Sequence, residues 1–140
     1  MTMGTQVFVN LPVKDLTASK AFFNRLGFSF NPQFTDNKAA CMVLNDSGYV
    51  MLLSEQFFKN FTRKNIADAT KETEVLVSIS ADSREKVNEL TDKALSIGAS
   101  TASDPHEMED MYGRSFSDLD GHIWEIIWMD MNKIGQHIQY

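Results

Sequence analysis

The chain is poor in cysteine, and this shortage excludes two kinds of small protein. Cys41 is the only cysteine among 140 residues, so an internal disulfide framework is excluded. The sequence also lacks paired cysteines and histidines at the spacing of a structural zinc site. Because unpaired thiols are typical of reducing compartments, we expect a cytoplasmic protein.

Basic charge and long apolar runs are also scarce. The 13 Lys and Arg residues are outnumbered by 19 Asp and Glu residues, and the formal net charge is −6. Nucleic acids and anionic membrane surfaces are bound mainly through clustered basic side chains, so neither is an expected partner. No segment approaches the roughly 18 apolar residues of a membrane span. With 43% hydrophobic residues, the chain can fill one core of ordinary size.

The first half of the chain alternates between strand-like and helix-like patterns. A helix is predicted from Asp15, a helix-capping residue, to Leu26, and Gly27 is the residue that ends it. A short β-rich segment precedes this helix, and three strand candidates follow it, at 28–34, 39–44 and 49–54.

The second half repeats this order. A helix is predicted from Asp82 to Ile97, with Asp82 as its cap. Strand candidates precede it at 74–80 and follow it at 99–102, 112–117 and 123–129. We therefore expect one domain over 1–130, with a first module at about 5–54, a connecting helix at about 55–72 and a second module at about 73–130. Residues 131–140 would form a C-terminal tail.

Two spacings agree with a repeat. Phe8 and Val75 each stand seven residues before the predicted helix cap of their module. Leu52 and Glu125 each stand four residues after a turn glycine. These offsets predict four equivalent positions, one near the start and one in the last strand of each module.

Three segments carry a resemblance to a known family: NLPVKDL at 10–16, SKAFFNRLGF at 19–28 and FSDLDGHIWE at 116–125. With them the sequence resembles the vicinal oxygen chelate superfamily, which includes glyoxalases, extradiol dioxygenases, fosfomycin-resistance enzymes and bleomycin-binding proteins. The resemblance implies an α+β fold in which two βαβββ modules form an eight-stranded cup with helices outside. It also implies a small-molecule ligand inside the cup and assembly as a homodimer.

The resemblance also bears on metal binding. In metal-dependent members, the four equivalent positions carry His, Glu or Gln. Here Phe8, Leu52 and Val75 have no ligand atom, and Glu125 alone is of a ligand type. Because catalytic metals need about three protein ligands, we expect no cofactor. The alternative is a divalent metal such as Ni, Zn, Mn or Fe, bound through displaced ligands.

Glu125 is the candidate catalytic acid or base. In a strand, Ile123, Glu125 and Ile127 share one face, and a cup lined by apolar residues would surround the carboxyl. A carboxyl in such surroundings suits proton transfer near neutral pH. The alternative is a structural acceptor that Tyr112, Arg114 or backbone groups hold in place.

Other chemistry-bearing residues have two interpretations. Tyr112 and Arg114 follow an acidic stretch at 104–110, predicted to be a solvated loop; the resemblance implies that they border the ligand. Arg114 would bind an anionic group or form a surface ion pair.

His122 is expected at the surface and Cys41 in the core. The phenylalanines at 57, 58 and 61 would pack the connecting helix down, or form a lid or dimer contact.

The sequence thus supports two hypotheses of function. The main one is a glyoxalase- or bleomycin-resistance-like protein that binds a small, partly apolar molecule in a cup lined by Phe8, Leu52 and Val75, by sequestration or with metal-free catalysis by Glu125. The other is a metal-dependent lyase or dioxygenase of glyoxalase type. A third possibility is a scaffold whose cup is filled by its own side chains. Elemental analysis separates the first two.

Overall fold

The computed structural model describes residues 4–133, which divide into a first unit up to Ala67 and a second unit from Asp68. The fold class is α+β, as predicted, and each unit has a mixed sheet and one main helix. No helix in the described part of the chain is long and apolar enough to cross a membrane. The predicted tail at 131–140 lies mostly outside the described residues.

The first helix, α1 (Leu16–Arg25), begins and ends where the sequence predicts. The Asp15 side chain accepts a hydrogen bond from the Ala18 N–H at 3.0 Å, so it caps the helix. Gly27 follows with a φ of 105°, a left-handed conformation that favours glycine. Phe22 and Phe23 are buried, so this side of α1 covers the sheet.

The first sheet contains β1 (Val7–Val13), β2 (Ser29–Phe30), β3 (Ala39–Val43) and β4 (Gly48–Ser54), in the order β1-β4-β3-β2. β1 pairs with β4 in parallel, and the other pairs are antiparallel. One face packs against α1, and we call it the helix face; its buried residues are Leu11, Val13, Ala40, Met42, Val50 and Leu52. The opposite face, which we call the open face, carries Phe8, Asn10, Cys41, Tyr49 and Met51.

The segment after β4 is less helical than predicted. α2 (Glu55–Phe58) is a single turn capped by the Ser54 hydroxyl, and a 3₁₀ turn follows at Lys59–Phe61. Thr62 then has extended φ and ψ angles, and its hydroxyl accepts the Lys64 N–H at 3.0 Å. This local bond competes with helical hydrogen bonding. The connecting helix predicted over 55–72 is therefore wrong beyond Phe61.

The second sheet repeats the topology with one strand more than predicted. It contains β5 (Leu76–Ser80), β6 (Ser100–Thr101), β7 (His106–Met108), β8 (Met111–Ser117) and β9 (Ile123–Met129), in the order β5-β9-β8-β6, and β7 also pairs with β8. β7 lies in the predicted acidic loop. Pro105, which has no N–H to donate, stands between β6 and β7 and interrupts this edge of the sheet. Nine strands occur among residues 4–133, instead of eight.

The second main helix, α3 (Arg84–Ser96), begins one residue later than predicted. The Ser83 hydroxyl, and not the Asp82 carboxylate, accepts the N–H of the third helical residue, Lys86, at 3.1 Å. Gly98, with a φ of 122°, ends the helix as expected. α3 covers one face of the second sheet, its helix face, where Val77, Phe116, Trp124 and Ile126 are buried.

A buried carboxylate organises the turn before β9. Asp118 accepts hydrogen bonds from the backbone N–H groups of Asp120 and His122 and from the Trp124 indole N–H at 3.0 Å. Burial raises the pKa of Asp118. His122 is 8% exposed, so its predicted surface position is wrong; the hydrogen bonds to Asp118 hold this turn against the core.

Candidate functional site

A cavity of about 490 Å³ lies on the open face of the first sheet. No lining residue carries a formal charge; they are Gln6, Phe8, Asn10, Asn31, Phe34, Cys41, Tyr49 and Met51. The volume falls within the roughly 300–1,000 Å³ of small-molecule sites. An apolar wall with a few amide groups can hold an uncharged, partly apolar group and orient it through hydrogen bonds.

Phe8 and Tyr49 form an aromatic wall of this cavity. They are direct partners across β1 and β4, and their rings stack with centroids 4.8 Å apart. The Tyr49 hydroxyl donates to the Asp46 carbonyl at 3.1 Å and accepts from Gln6 Nε2 at 3.4 Å. These bonds hold the Tyr49 ring in position before any ligand binds.

Cys41 lies at the base of the cavity, with 1% of its surface exposed. Its backbone N–H donates to the Thr35 hydroxyl at 3.0 Å. Burial raises the pKa of the Cys41 thiol, because desolvation disfavours the thiolate. The thiol is therefore protonated near neutral pH and packs as a small apolar group, in agreement with the predicted core position.

The predicted lining residue Leu52 lies on the opposite face from Phe8. Leu52 pairs with Leu11 and Ala40 on the helix face and is 0% exposed. The offset from glycine misled the prediction because Gly48 and Gly121 are not at equivalent positions. Phe8 pairs with Tyr49 as Leu76 pairs with Ile123, so the residue equivalent to Glu125 lies three positions after Gly48 and not four. Met51, one residue before Leu52, is the β4 residue that shares the open face with Phe8.

The prediction of Val75 as a lining residue is also displaced by one position. It lies just before β5 and is 38% exposed. Because Ser83 and not Asp82 caps α3, the residue seven positions before the cap is Leu76. Leu76 is paired with Ile123, so it shares a face with Glu125. The equivalent positions are therefore Phe8 and Met51 in the first unit, and Leu76 and Glu125 in the second.

Glu125 lies on the face of the second sheet opposite α3. It is half-buried, and its cross-strand neighbours are Ser78 on β5 and Ser115 on β8. Its direct partners across the strands are thus serines, while Ile123 and Ile127 lie on the same face along β9. Across residues 4–133, no hydrogen bond or ion pair holds its carboxylate. A role as acid or base stays a prediction.

Tyr112 and Arg114 lie on the helix face of the second sheet. The Tyr112 hydroxyl donates to Asn88 Oδ1 at 2.7 Å, and the Arg114 guanidinium donates to the same oxygen at 3.0 Å. Arg114 also forms an ion pair with Asp92 at 2.8 Å. Both side chains are engaged with α3, opposite Glu125, so neither holds its carboxylate. Ligand binding by these two residues stays a prediction; the surface ion pair is the interaction that the structure shows for Arg114.

The donor atoms do not fit the metal site of the resembling superfamily. Phe8 and Leu76 have no ligand atom, Met51 offers a weakly binding thioether, and only Glu125 offers a carboxylate. No three His, Cys, Asp or Glu side chains come together in the described part of the chain. We therefore derive no chemical step through a metal.

Sequence reasoning missed most of the cavity wall, although the signal was present. On β1 the open face carries Phe8 and Asn10, and on β4 it carries Tyr49 and Met51. Strict alternation along each predicted strand places Phe8 and Asn10 on one face, and Tyr49 and Met51 on one face. Asn31 and Phe34 come from a short connection whose path has no such signal.

Comparison with known proteins supports the fold. Residues 5–45 match the family model described as bleomycin resistance protein-like N-terminal. No curated protein matches the sequence. Among solved structures, a hypothetical protein from S. aureus is 29% identical, with a TM-score of 0.75 over 91% of this chain and 95% of that chain.

Two further solved structures are more distant in sequence. A glyoxalase/bleomycin resistance protein/dioxygenase family enzyme from Burkholderia phytofirmans is 16% identical, with a TM-score of 0.74 over 90% of this chain and 99% of that one. A fosfomycin resistance protein from Listeria monocytogenes is 15% identical, with a TM-score of 0.67 over 94% and 98%. The fold and the N-terminal match confirm the resemblance to the vicinal oxygen chelate superfamily.

Proposed function

We propose that this chain, with the glyoxalase/bleomycin resistance fold, binds a small molecule whose apolar part occupies the cavity of the first unit. The observation that supports this proposal most directly is the uncharged cavity with its wall of stacked Phe8 and Tyr49 rings. Stacking on a preformed aromatic wall stabilises an aromatic or conjugated group at little cost in conformational entropy. The proposal needs no metal.

Binding explains the cavity more fully than catalysis does. The lining supplies apolar contact and amide hydrogen bonds, and its thiol is kept protonated by burial. These groups hold a ligand without transforming it. Similar solved structures include proteins named for bleomycin resistance and fosfomycin resistance. For this chain we propose capture of a compound and not its conversion.

An enzymatic alternative rests on Glu125. Its half-buried carboxylate has no hydrogen-bond or ion-pair partner within residues 4–133, so it is available for proton transfer. In that case Glu125 would act as acid or base without a metal. Loss of turnover in Glu125→Gln, with the fold retained, is the result that this alternative requires.

Assembly and location complete the proposal. We propose a cytoplasmic homodimer with no nucleic-acid or membrane partner. Light scattering at micromolar concentration tests the assembly, and a monomer mass would contradict it.

The test of ligand binding uses dansylamide, a small neutral fluorophore whose emission rises in apolar surroundings. Titration of the wild-type protein should give saturable binding, and Phe8→Ala should weaken it by about tenfold because half of the aromatic wall is lost. Val7→Ala is the matched control, since Val7 is similarly exposed but lies on the opposite face of β1. Equal affinities for all three proteins, or no binding, would contradict the proposal.

A further inference from the structure

A second, smaller cavity adjoins the first along the same face of the sheet. It has a volume of about 240 Å³ and is lined by Asn10, Leu53, Phe58, Phe61 and Thr62. Asn10 also lines the large cavity, so one side chain borders both. A molecule that occupied both cavities would have to pass this carboxamide.

The strand register explains why the two cavities lie end to end. Phe8, Asn10 and Pro12 follow one another on the open face of β1, and their partners on β4 are Tyr49, Met51 and Leu53. Two residues along a strand cover roughly 6.6 Å, so the face from Phe8 to Pro12 is roughly 13 Å long. This length suits an elongated ligand with a ring at one end and an arm at the other.

The segment that walls the small cavity is basic. Between Gln56 and Ala67 the chain carries Lys59, Arg63 and Lys64 and no acidic residue. All three cations are exposed, and none forms an ion pair within residues 4–133. The chain as a whole has a net charge of −6, so these three unpaired cations form a locally positive segment in an acidic protein.

The polar groups that line the small cavity, Asn10 and Thr62, both have hydrogen-bond donors. The Thr62 hydroxyl accepts the Lys64 N–H, and its own O–H is left to donate. Asn10 Nδ2 makes only a long 3.5 Å contact with the Phe8 carbonyl. Such donors, one of them on a segment that also carries three exposed cations, match the oxygens of a carboxylate, sulfonate or phosphate.

We propose that the ligand is an amphiphilic anion: its apolar ring system lies in the large cavity, and its arm passes Asn10 into the small cavity and ends in an acidic group beside Thr62 and the basic segment at 59–64. This inference rests on the proposed function, because the large cavity must hold the ring system. It adds the length of the ligand and the sign of its charge.

Three probes with the same fluorophore test the inference: dansylamide, 6-(dansylamino)hexanoate and the methyl ester of that acid. Dansylamide measures the large cavity alone, the ester adds a neutral arm, and the acid adds an anionic arm. We expect the acid to bind about fivefold more tightly than the ester at low salt, and this advantage to fall at high salt because the cations are exposed.

Charge-matched variants locate the effect. Arg63→Gln/Lys64→Gln should remove most of the advantage of the acid over the ester and leave dansylamide binding unchanged. Lys20→Gln/Arg25→Gln removes the same charge from α1, on the other side of the sheet, and should leave all three affinities unchanged. Equal changes in both variants would show a general charge effect and overturn the inference.

The outcomes separate this inference from the proposed function. If dansylamide binds in a Phe8-dependent way while the acid and the ester bind equally, the inference fails and the proposed function stands. If no probe shows Phe8-dependent binding, the proposed function fails and the inference fails with it.

Discussion

The rings of Phe8 and Tyr49 are nearly parallel, with an interplanar angle of 11° and centroids 4.8 Å apart. They belong to adjacent parallel strands and face away from α1. A stacked pair that remains about half exposed at Phe8 presents aromatic surface to a ligand instead of filling the core.

Tyr49→Ala tests the second member of this pair. The change should weaken dansylamide binding by about tenfold, because the wall loses one ring and the support of the other. Tyr49→Phe is the matched control: it keeps the ring, loses the bond to the Asp46 carbonyl, and should change the affinity by less than about threefold. An equal loss in both variants would mean that the hydroxyl, and not the stacked ring, holds the ligand.

Cys41 reports on the cavity through its reactivity. Because burial raises its pKa, alkylation by neutral iodoacetamide should be slow near neutral pH and should keep rising with pH beyond the range of an ordinary thiol. Saturating dansylamide should slow it further, since Cys41 lines the cavity. Mass spectrometry follows a single site, as the chain has one cysteine. An alkylation rate that levels off in the pH range of an ordinary thiol, or that dansylamide does not change, would contradict the buried position of Cys41 in the cavity.

Glu125→Gln should change the free energy of unfolding by less than about 0.5 kcal/mol, because no hydrogen bond or ion pair holds the carboxylate within residues 4–133. Asp118→Asn is the contrasting variant. It should cost about 1–3 kcal/mol, because an amide cannot accept both the backbone N–H groups and the indole N–H of Trp124. Urea unfolding at neutral pH measures both. A cost for Glu125→Gln as large as that for Asp118→Asn would show that the Glu125 carboxylate is a structural acceptor.

Metal content separates the metal-free proposal from the metal-dependent alternative. After exposure to Ni, Zn, Mn or Fe and desalting, the protein should retain far less than one ion per chain, because Phe8, Met51 and Leu76 supply no carboxylate or imidazole ligand. Elemental analysis of wild type and Glu125→Gln measures this. One bound ion per chain that is lost in the variant would establish the metal-dependent alternative.

Much of the fold could be predicted because its signals are local. Asp15 caps the start of α1, and Gly27 ends the helix in a left-handed conformation. Each of these two signals depends only on the nearest residues in the sequence. The repeated order of strand, helix and strands followed in the same way. The missed strand β7 reflects the opposite case: His106–Met108 has no apolar alternation and is held by its pairing with β8.

The candidate site was harder to predict because a shift of one residue reverses the face of a strand. We predicted Leu52 where the structure has Met51, and Val75 where it has Leu76. In each case the reference residue, a turn glycine or a helix cap, was misplaced by one position. Arg114 has the chemistry of an anion-binding residue, but only the placement of α3 shows that Asn88 and Asp92 already engage it. Contacts of this kind between a strand and a helix cannot be predicted from the spacing of residues in the sequence.

The position of the bound molecule is the central claim, and methyl NMR measures it directly. In protein labelled at the methionine methyl groups, saturating dansylamide should shift the Met51 signal, because Met51 lines the large cavity. Met42, buried on the helix face of the same sheet, and Met108, exposed in the second unit, should stay unchanged. A shift confined to Met51 is the predicted result; a shift at Met108 without one at Met51 would place the ligand elsewhere and contradict the account.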